Sequence, residues 1–431
     1  MSQSATPKLL SEPKGGVPDV TGTPDAFDRA LDMLAAGTGP VAADAERASG
    51  FRYGHEDWLI QLKRQGTGIV LLDPVNLVRA GCDLPALNDV FAGEEWILHD
   101  ALMDLPGFAA LGLRPDGLFD TEVAARLLGA TRFGLAAVTE RYLGLTLAKE
   151  HSAADWSYRP LPRDWRNYAA LDVELLVELR ARLRAELRAA GKDGWAAEEF
   201  AYLLRKGMTP PAQPSEPWRG TSRISLLSDD PQGLAVVRDL WNERDRHARE
   251  LDIAPGLLLP DRALIEAGLR KPHNAREFRQ IRILNERVRM FTGSEQDAMY
   301  ARYAPLQRKV KPSLWRETIK RTLALPADRW PSATAPAGER RAMNAPRSMK
   351  YWQTHHPGRY ERYERARKVV AGIAQDTNTP ADVLLKPQYL RNLCWSDEAM
   401  DADAVRANLA GQGARDWQCS LLGASIARVL E

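Results

Sequence analysis

Apolar positions in the first half of the chain follow two patterns, one typical of strands and one typical of helices. Three short apolar runs separated by glycine and polar residues predict an antiparallel meander, and they span residues 39–46, 57–64 and 66–74. Further along, helical stretches alternate with strand candidates at 95–99 and 117–121. This order predicts a mixed α/β domain in which the meander is followed by βα units.

Two helices frame this predicted domain. Residues 23–37 begin with a threonine and a proline, as helix N-termini often do, and continue with apolar residues at helical spacing. A long helix is predicted from Pro162 to Gly191, with a stripe of leucines as its buried face. The proline-rich segment that follows indicates that the domain ends near residue 213.

The second half of the chain is predicted to be helical. A weak internal repeat with an offset of 126 residues aligns 251–269 with 377–395, and a charged helical segment precedes each copy. The repeat predicts two copies of a small helical module, which we place at 218–304 and 351–431.

The segment between the two modules, residues 305–350, is strongly basic. It holds 11 Lys or Arg residues against three acidic ones, about +8, although the whole chain carries only +2 from 59 basic and 57 acidic residues. Two interpretations stay open, a solvated charged linker and a strip that attracts phosphate groups.

Overall composition is that of a globular protein. Hydrophobic residues make up 44% and charged residues 27% of the chain, and no stretch approaches the roughly 20 apolar residues of a membrane helix. Residues 1–22 are polar and rich in Pro and Gly, which predicts a disordered tail on a cytoplasmic protein rather than a secretion signal. The cysteines lie too far apart for a disulfide framework or a zinc site; they are Cys82, Cys394 and Cys419.

Acidic residues stand at unexpected places in two of the predicted strand regions. Asp44 and Glu46 lie two residues apart on a strand, so their carboxylates point to the same face. Asp100 and Asp104 lie in the turn after the strand that ends at His99. Either of these two acids would also suit a helix cap or a solvated turn.

A further acid lies on the face of the long helix that should be buried. Asp172 stands one turn before Leu176, the first leucine of the buried stripe, and a purely structural helix would not place an acid there. Tyr168 lies one turn earlier on the same face, where a tyrosine is also typical of half-buried packing.

Carboxylates gathered in a partly buried site repel one another, and their pKa values rise unless a cation neutralises them. Oxygen ligands of this kind favour Mg²⁺ or Mn²⁺. Acids on one strand, one turn and one helix face therefore suit a site with two metal ions about 4 Å apart, which holds the attacking and leaving oxygens of phosphoryl transfer.

Three short motifs, in this order along the chain, resemble those of the DEDD 3′-to-5′ exonucleases of the tyrosine-containing subclass. The first is Asp-x-Glu, formed by Asp44 and Glu46; the second is His-x4-Asp, which ends at Asp104. The third is Tyr-x3-Asp, formed by Tyr168 and Asp172. Each motif is weak alone, and the ordered set is specific.

Longer segments narrow the resemblance. LAKEHSAADWSYRPLP and NYAALDVELL are similar to ribonuclease D, a family in which helical HRDC domains follow the nuclease. Both predicted modules resemble such domains, the first through LWNERDRHARELDIAPGLLLPDRAL and the second through PGRYERYERARKVVAGIAQDTNTPADVLL. The resemblance covers roughly residues 25–425 and implies an α/β ribonuclease H-like exonuclease domain at 23–213 followed by two all-α HRDC domains.

The resemblance also implies roles for the motif residues. Asp44, Glu46 and Asp172 would hold the metal ion that activates water, while Asp44 would also touch a second divalent ion, Mg or Mn, that Asp104 holds through water. Tyr168 would position the attacking water. The implied chemistry requires no lysine or arginine in the motifs.

Three neighbouring residues keep alternative interpretations. Asp100 competes with Asp104 in the second motif, although the family spacing from His99 favours Asp104. His99 is either a polar residue at a strand end or a substrate contact. Arg159 belongs either to a surface connection or to a phosphate contact.

The function implied by the resemblance is hydrolysis of the last phosphodiester at the 3′ end of tRNA precursors and other structured RNAs, with release of 5′-mononucleotides by a monomeric protein. The helical modules and the basic segment would guide the RNA. A DNA 3′–5′ exonuclease is one alternative, because nothing in the sequence reads a 2′-hydroxyl. A catalytically silent nucleic-acid-binding protein is the other. A helicase is excluded, since Gly191-Lys192 lacks the upstream glycine of a phosphate-binding loop.

Overall fold

In a computed structural model, a mixed α/β domain is followed by two helical modules. The structure describes residues 7–147, 153–210, 212–286, 295–333, 345–396 and 398–430. Within these ranges, no helix is both long enough and apolar enough to cross a membrane.

The nuclease-like half is built on a six-stranded sheet with the strand order β2-β5-β4-β3-β6-β7. The strands of the described ranges are β1 Lys8–Leu10, β2 Val20–Thr21, β3 Thr38–Arg47, β4 Asp57–Gln65, β5 Ile69–Leu72, β6 Glu95–Leu98, β7 Gly117–Asp120 and β8 Leu145–Leu147. Strands β3, β4 and β5 pair antiparallel, whereas β6 and β7 run parallel to β3. The predicted meander followed by βα units is confirmed.

Strand β3 lies in the middle of the sheet, between β4 and β6. Its residues Val41, Ala42 and Ala43 are fully buried. Pairing with β6 ends at Ala42, whereas pairing with β4 continues to Arg47. The last residues of β3 therefore have a strand neighbour on one side only, and the other side faces the turn that follows β6.

The N-terminal residues 7–22 correct the prediction of a disordered tail. Strand β1 pairs in parallel with β8, and β2 pairs in parallel with β5 at the edge of the main sheet. Arg166 donates a hydrogen bond of 2.8 Å to the carbonyl of Pro18. The composition was misleading because strand addition at a sheet edge uses backbone groups and needs few apolar side chains. Residues 1–6 lie outside the described residues.

Helices cover both faces of the sheet. In the first domain they are α1 Pro24–Ala35, α2 Pro74–Arg79, α3 Ala86–Val90, α4 Leu105–Ala110, α5 Thr121–Leu127, α6 Leu135–Leu143, α7 Arg163–Glu174, α8 Leu176–Ala189 and α9 Asp193–Met208. The single helix predicted from Pro162 to Gly191 is thus two helices, which meet at Leu175. The break lets α7 lie against β3, β4 and β5 while α8 packs against β3, β6 and α5.

The first helical module extends further than predicted. Its helices are α10 Pro231–Leu251, α11 Pro255–Leu258, α12 Asp261–Arg270, α13 Ala275–Gln280, α14 Arg282–Asn285, α15 Glu295–Ala301, α16 Ala304–Lys309 and α17 Pro312–Leu323. Trp315 and Ile319 of α17 are buried in one apolar cluster with Leu240 and Leu264. The prediction of a linker throughout 305–350 is therefore wrong, because the basic charges hid an amphipathic helix; residues 334–344 lie outside the described residues.

The C-terminal module repeats part of the first module. Its helices are α18 Met349–His355, α19 Pro357–Asp376, α20 Ala381–Leu384, α21 Pro387–Trp395, α22 Ala402–Gly411 and α23 Asp416–Leu430. Helices α19, α20 and α21 follow one another as α10, α11 and α12 do. Asp252, directly after α10, and Asn378, two residues after α19, are 126 positions apart, and both adopt left-handed backbone, with φ of 50° and 45°. The internal repeat is therefore present in the backbone.

Candidate active site

Asp44 and Glu46 lie side by side on β3, on the face that helix α7 covers. In the β3–β4 ladder Asp44 lies opposite Gln61, and Glu46 lies opposite Leu59. Helix α7 packs on this pair of strands and carries Asp172. One carboxylate oxygen from each of Asp44, Glu46 and Asp172 lies within 4.8 Å of the other two. The structure thus brings three of the predicted site residues together.

Tyr168 lies one turn before Asp172 on α7, as the spacing predicts. Its hydroxyl donates a hydrogen bond to the Asp172 carboxylate, and its ring centroid lies 6.2 Å from that of the fully buried Trp156. Burial, followed by the nearby acids, raises the pKa of Tyr168 well above its ordinary value. The residue is therefore a neutral hydroxyl held at the edge of the acid group.

Burial and mutual repulsion destabilise the charged forms of the three acids in this group. Burial, and then repulsion from the neighbouring carboxylates, raises the pKa of Asp44 and of Glu46 well above their ordinary values. Burial raises the pKa of Asp172 to about 7, and the hydrogen bond from Tyr168 opposes this rise. Such carboxylates favour a proton or a cation as a neighbour.

Asp104, the fourth predicted acid, lies beside this group but is already engaged. It is 3% exposed, and its charge is close enough to raise the pKa of both Asp44 and Glu46. The guanidinium of Arg47 donates from Nη2 to Asp104 Oδ1 at 3.1 Å. Burial raises the pKa of Asp104 to about 7, although Arg47 opposes the shift.

Arg47 and its second partner, Asp57, were missed by sequence reasoning. Arg47 Nη1 donates to Asp57 Oδ1 at 3.3 Å, and the Asp57 side chain is fully buried. Simple alternation would direct Arg47 away from Glu46, but the ladder shifts register between these two residues, where Trp58 is the extra residue on β4. One signal was available, since Asp57 is an acid that directly precedes the apolar residues 58–60 of a predicted strand.

Gln61 is a further residue that sequence reasoning missed. It is fully buried opposite Asp44, and neither amide atom of its side chain has a hydrogen-bond partner within the described part of the chain. Buried polar groups in proteins are normally paired, so this amide indicates room for a ligand, a water molecule or an ion beside Asp44. A polar residue in the middle of the apolar run LIQL was the available signal.

The two other residues of the second motif have no direct part in the group. His99 Nδ1 lies 2.9 Å from the hydroxyl of Thr121, and burial lowers its pKa to about 4, so its imidazole is neutral at physiological pH. Asp100 adopts left-handed backbone, with φ of 60°, in a half-buried turn. Asp104, unlike Asp100, is hydrogen-bonded to Arg47 beside the group.

Arg159 serves the fold rather than a phosphate contact. Its guanidinium donates to Asp73 Oδ2 and to the carbonyls of Trp58 and Trp156, each at 2.6 Å. These contacts fix the loop ahead of α7. Residues 148–152 of the ribonuclease D-like segment lie outside the described residues.

The donors of the acid group fit a divalent cation. Asp44, Glu46 and Asp172 offer oxygen ligands that converge within 4.8 Å, and within the described ranges no Lys or Arg forms an ion pair with them. Hard cations such as Mg²⁺ and Mn²⁺ are commonly bound by a few carboxylates of this kind. The unpaired amide of Gln61 beside Asp44 indicates room for a further ligand of the ion.

Comparison with known proteins identifies the family. A family model described as 3′-5′ exonuclease matches residues 20–188, which contain all five predicted site residues, and an HRDC domain model matches residues 233–295. Residues 20–188 of this chain belong to that 3′-5′ exonuclease family, and the chain is similar to proteins named Ribonuclease D. The ribonuclease H-like fold class predicted for the first domain is confirmed.

The second module of this ribonuclease D-like chain matches a different family model. Residues 345–430 match a model described as 3′ to 5′ exonuclease C-terminal domain, whereas the sequence predicted a second HRDC-like domain. The first module is therefore shown to be an HRDC domain, whereas the second matches a C-terminal helical domain of exonucleases.

Relatives by sequence carry the same family name. Ribonuclease D of Jannaschia sp. is 31% identical over 251 residues, which are 57% of this chain and 63% of the relative. Ribonuclease D of Bartonella henselae is 28% identical over 232 residues, 53% of this chain and 55% of the relative. The matches thus span little more than half the length of these curated relatives.

Solved structures show the same architecture along almost the whole chain. A protein from Bifidobacterium adolescentis is 56% identical, with a TM-score of 0.91 over 98% of this chain and 99% of its own. Escherichia coli RNase D, described as an exoribonuclease involved in structured RNA processing, is 20% identical, with a TM-score of 0.60 over 95% and 98% of the two chains. The second likeness concerns the fold alone.

Proposed function

We propose that this chain is a 3′-to-5′ exoribonuclease that trims the 3′ ends of structured RNAs, tRNA precursors among them, and releases 5′-mononucleotides. The observation that carries the proposal is the convergence of Asp44, Glu46 and Asp172 within 4.8 Å, beside the hydroxyl of Tyr168. Three converging carboxylates that have no Lys or Arg ion-pair partner in the described ranges are what a hydrolase of phosphodiesters needs to hold divalent cations against a phosphate.

The acids would hold the cations as the family resemblance implies. Asp44, Glu46 and Asp172 would bind one ion, and Asp44 with Asp104 would bind a second. When bound, Mg²⁺ or Mn²⁺ supplies positive charge that neutralises the phosphate and favours loss of a proton from an attacking water. The raised pKa values of the acids mean that protons compete with these ions, so cleavage is expected to weaken as the pH falls below about 7.

Tyr168 is assigned the task of orienting the attacking water. Its hydroxyl is anchored by Asp172, and its raised pKa keeps it protonated, so it offers one hydrogen-bonding group at a fixed position. The ring of Tyr168 packs against Trp156, and Trp156 in turn packs against Trp165 at a ring-centroid distance of 5.6 Å. A water held in one orientation reacts faster than one that is free to rotate.

The assignment to RNA is supported by the relatives, which carry the name Ribonuclease D. The residues of the acid site do not by themselves distinguish RNA from DNA, because the phosphate that they would engage is the same in both polymers and only the 2′-hydroxyl differs. The substrate choice is therefore the part of the proposal that needs the most direct test.

The test compares cleavage of a 3′-tailed structured RNA and a matched DNA by the full chain, with Mg²⁺, with Mn²⁺ and with a chelator. Asp44→Asn should slow cleavage by at least about a hundredfold, since it removes a preorganised charged group from the reaction site. Asp104→Asn should slow it strongly, whereas Asp100→Asn, the matched control in the same turn, should stay near the wild-type rate.

Each result decides a separate part of the proposal. Wild-type trimming by the Asp44→Asn variant would refute the site. Equal cleavage of DNA would refute the restriction to RNA and leave the nuclease assignment standing. Equal loss in the Asp100 and Asp104 variants would show that the second motif was assigned to the wrong acid.

A further inference from the structure

Arg47 is a cation built into an otherwise acidic site. Its guanidinium donates from Nη1 to Asp57 at 3.3 Å and from Nη2 to Asp104 at 3.1 Å. The side chain is 18% exposed, whereas those of its two partners are at most 4% exposed. Arg47 therefore reaches the site from the sheet and keeps one face toward solvent.

Asp57 anchors Arg47 in this position. Its carboxylate lies against the first turn of α4, so close to Gly107 that a Cβ added there would stand 2.1 Å from Asp57 Oδ2. Burial raises the pKa of Asp57 to about 7, and the charge of Arg47 is the main influence that opposes the rise. A buried acid, a glycine that makes room for it and a register shift before Arg47 together give the guanidinium one fixed place.

The four acids of the site therefore fall into two classes. Asp44, Glu46 and Asp172 have no Lys or Arg ion-pair partner within the described ranges, and their oxygens converge. Asp104 has a cation already, and it does not belong to the group whose oxygens converge within 4.8 Å. Because a guanidinium and a divalent ion would compete for the same buried carboxylate, the structure favours one ion site over two in the free protein.

We propose that Arg47 is a positioning residue that takes the place of the second cation at Asp104, so that the RNA-free chain binds one divalent ion, at Asp44, Glu46 and Asp172. A phosphate group that arrives beside the acids offers the guanidinium another anion, and guanidinium groups bind phosphate well. Asp104 then becomes free for a second ion. This inference rests on the proposed function, since it takes the acids to be the ligands of a nuclease.

The test counts bound Mn²⁺ ions by isothermal titration and by electron paramagnetic resonance, without cleavage. Cytidine 5′-monophosphate serves as the phosphate probe, because it has no phosphodiester to hydrolyse. The wild-type chain should bind one ion alone and two with the nucleotide. Arg47→Gln should bind two ions without the nucleotide, because Asp104 has lost its cation, and Arg47→Lys, which keeps the charge, should return to one.

Two further variants locate the second ion. Arg47→Gln combined with Asp104→Asn should bind one ion again, which would place the additional ion at Asp104. Arg52→Gln, a nearby arginine that pairs with Asp252 outside the site, is the matched control and should behave as wild type. If Arg47→Gln fails to fold, the wild-type chain decides instead, because its second ion should bind only when the nucleotide is present.

Two tight ions on the wild-type chain without nucleotide would overturn the inference, as would a single ion on a folded Arg47→Gln variant. Failure of the proposed function gives a different signature. A chain that cuts no RNA but shows the expected ion counts would refute the nuclease assignment and retain the role of Arg47.

Discussion

The two helical modules share a stretch of backbone but contact the nuclease domain in different ways. Helices α10–α12 of the first module and α19–α21 of the C-terminal module repeat at an offset of 126 residues. The first module keeps an apolar cluster of its own and shares a smaller one with the nuclease domain, whereas the C-terminal module is part of the large continuous apolar cluster of that domain. Similar modules therefore need not have similar tasks.

The contact between the C-terminal module and the nuclease domain is buried, and it contains paired polar groups. Both oxygens of Glu199, on α9, accept hydrogen bonds of 2.8 Å from Arg415, and one oxygen also accepts from Trp417 Nε1 at 3.0 Å. The ring of Trp417 stacks on Trp195 at a centroid distance of 4.6 Å. This module is a structural part of the nuclease.

The first module touches the nuclease domain close to the candidate active site. Tyr303 donates to Asp155 at 2.9 Å, and its side chain belongs to the apolar cluster that contains Trp156, the residue behind Tyr168. Around this cluster lie exposed or half-exposed polar contacts, such as the pair formed by Arg52 and Asp252. This module has a core of its own and also packs on Trp156, so it is placed to influence the position of Tyr168.

Removal of Glu199 is the change with the largest expected effect on stability. Glu199→Ala leaves Arg415 without its buried carboxylate partner, and loss of one member of such a pair lowers the free energy of unfolding by about 3–5 kcal/mol. Urea denaturation measures the loss. Asp403→Ala, which breaks the exposed pair with Arg406 in the same module, should cost less than about 1 kcal/mol. Equal losses would show that the contact is not structural.

Lys192 gives the second largest effect, because it ties the C-terminal module to the end of α5. Its buried ammonium donates to the carbonyls of Leu127 and Asn378, at 2.5 and 3.2 Å, and to Thr379 Oγ1 at 2.8 Å. Lys192→Met leaves these acceptors unpaired and should lower the free energy of unfolding by about 1–3 kcal/mol. The exposed Lys311→Met, measured beside it, should change the value by less than about 0.5 kcal/mol; a similar loss in both would contradict the interface role.

Local spacing explains which features could be predicted from the sequence. Asp44 and Glu46 share a strand face because side chains alternate, and Tyr168 and Asp172 share a helix face because they are four residues apart. These rules act within one element, so the sequence displays them directly. The family motifs then indicated which separate elements come together at the site.

The features that escaped prediction depend on contacts between distant parts of the chain. The position of Arg47 depends on a register shift against β4, and Gln61 reaches the site only through its pairing with β3. Lys192 meets Thr379 although 187 positions separate them. No local pattern encodes such contacts, and composition even misled at residues 7–22, where backbone pairing creates strands from a polar segment.

Reversal of one charge at the contact between the nuclease domain and the first module should leave stability nearly unchanged and weaken the cleavage of long substrates. Arg52→Glu breaks the partly exposed pair with Asp252, which contributes about 1 kcal/mol or less. Since the module lies beside Trp156, we expect a higher KM for a 3′-tailed structured RNA and an unchanged rate on a trinucleotide. The double change Arg52→Glu with Asp252→Arg restores the pair and should restore KM. Equal damage on both substrates would place the effect in the acid site instead.

Changes on the basic surface of α16 and α17 are expected to have the smallest effect on stability. They also test the comparison between the two helical modules most directly. This surface consists of the exposed residues Arg308, Lys309, Lys311, Arg316, Lys320 and Arg321. Within the described ranges, Arg316 alone among them has an acidic partner, Glu317 at 3.3 Å. Since α17 packs into the first module through Trp315, these charges are held in place beside that module's core.

A double reversal, Lys320→Glu with Arg321→Glu, should leave the free energy of unfolding within about 0.5 kcal/mol of wild type, because both side chains are exposed. Affinity for a single-stranded 3′ tail should fall, and the slope of log affinity against log salt should decrease by about 0.7 for each phosphate that the protein no longer neutralises. The same reversal at Arg276 and Arg279, exposed on α13 of the same module, changes the net charge equally. A matching fall in affinity in that control would mean that net charge, and not the surface of α16 and α17, attracts the RNA.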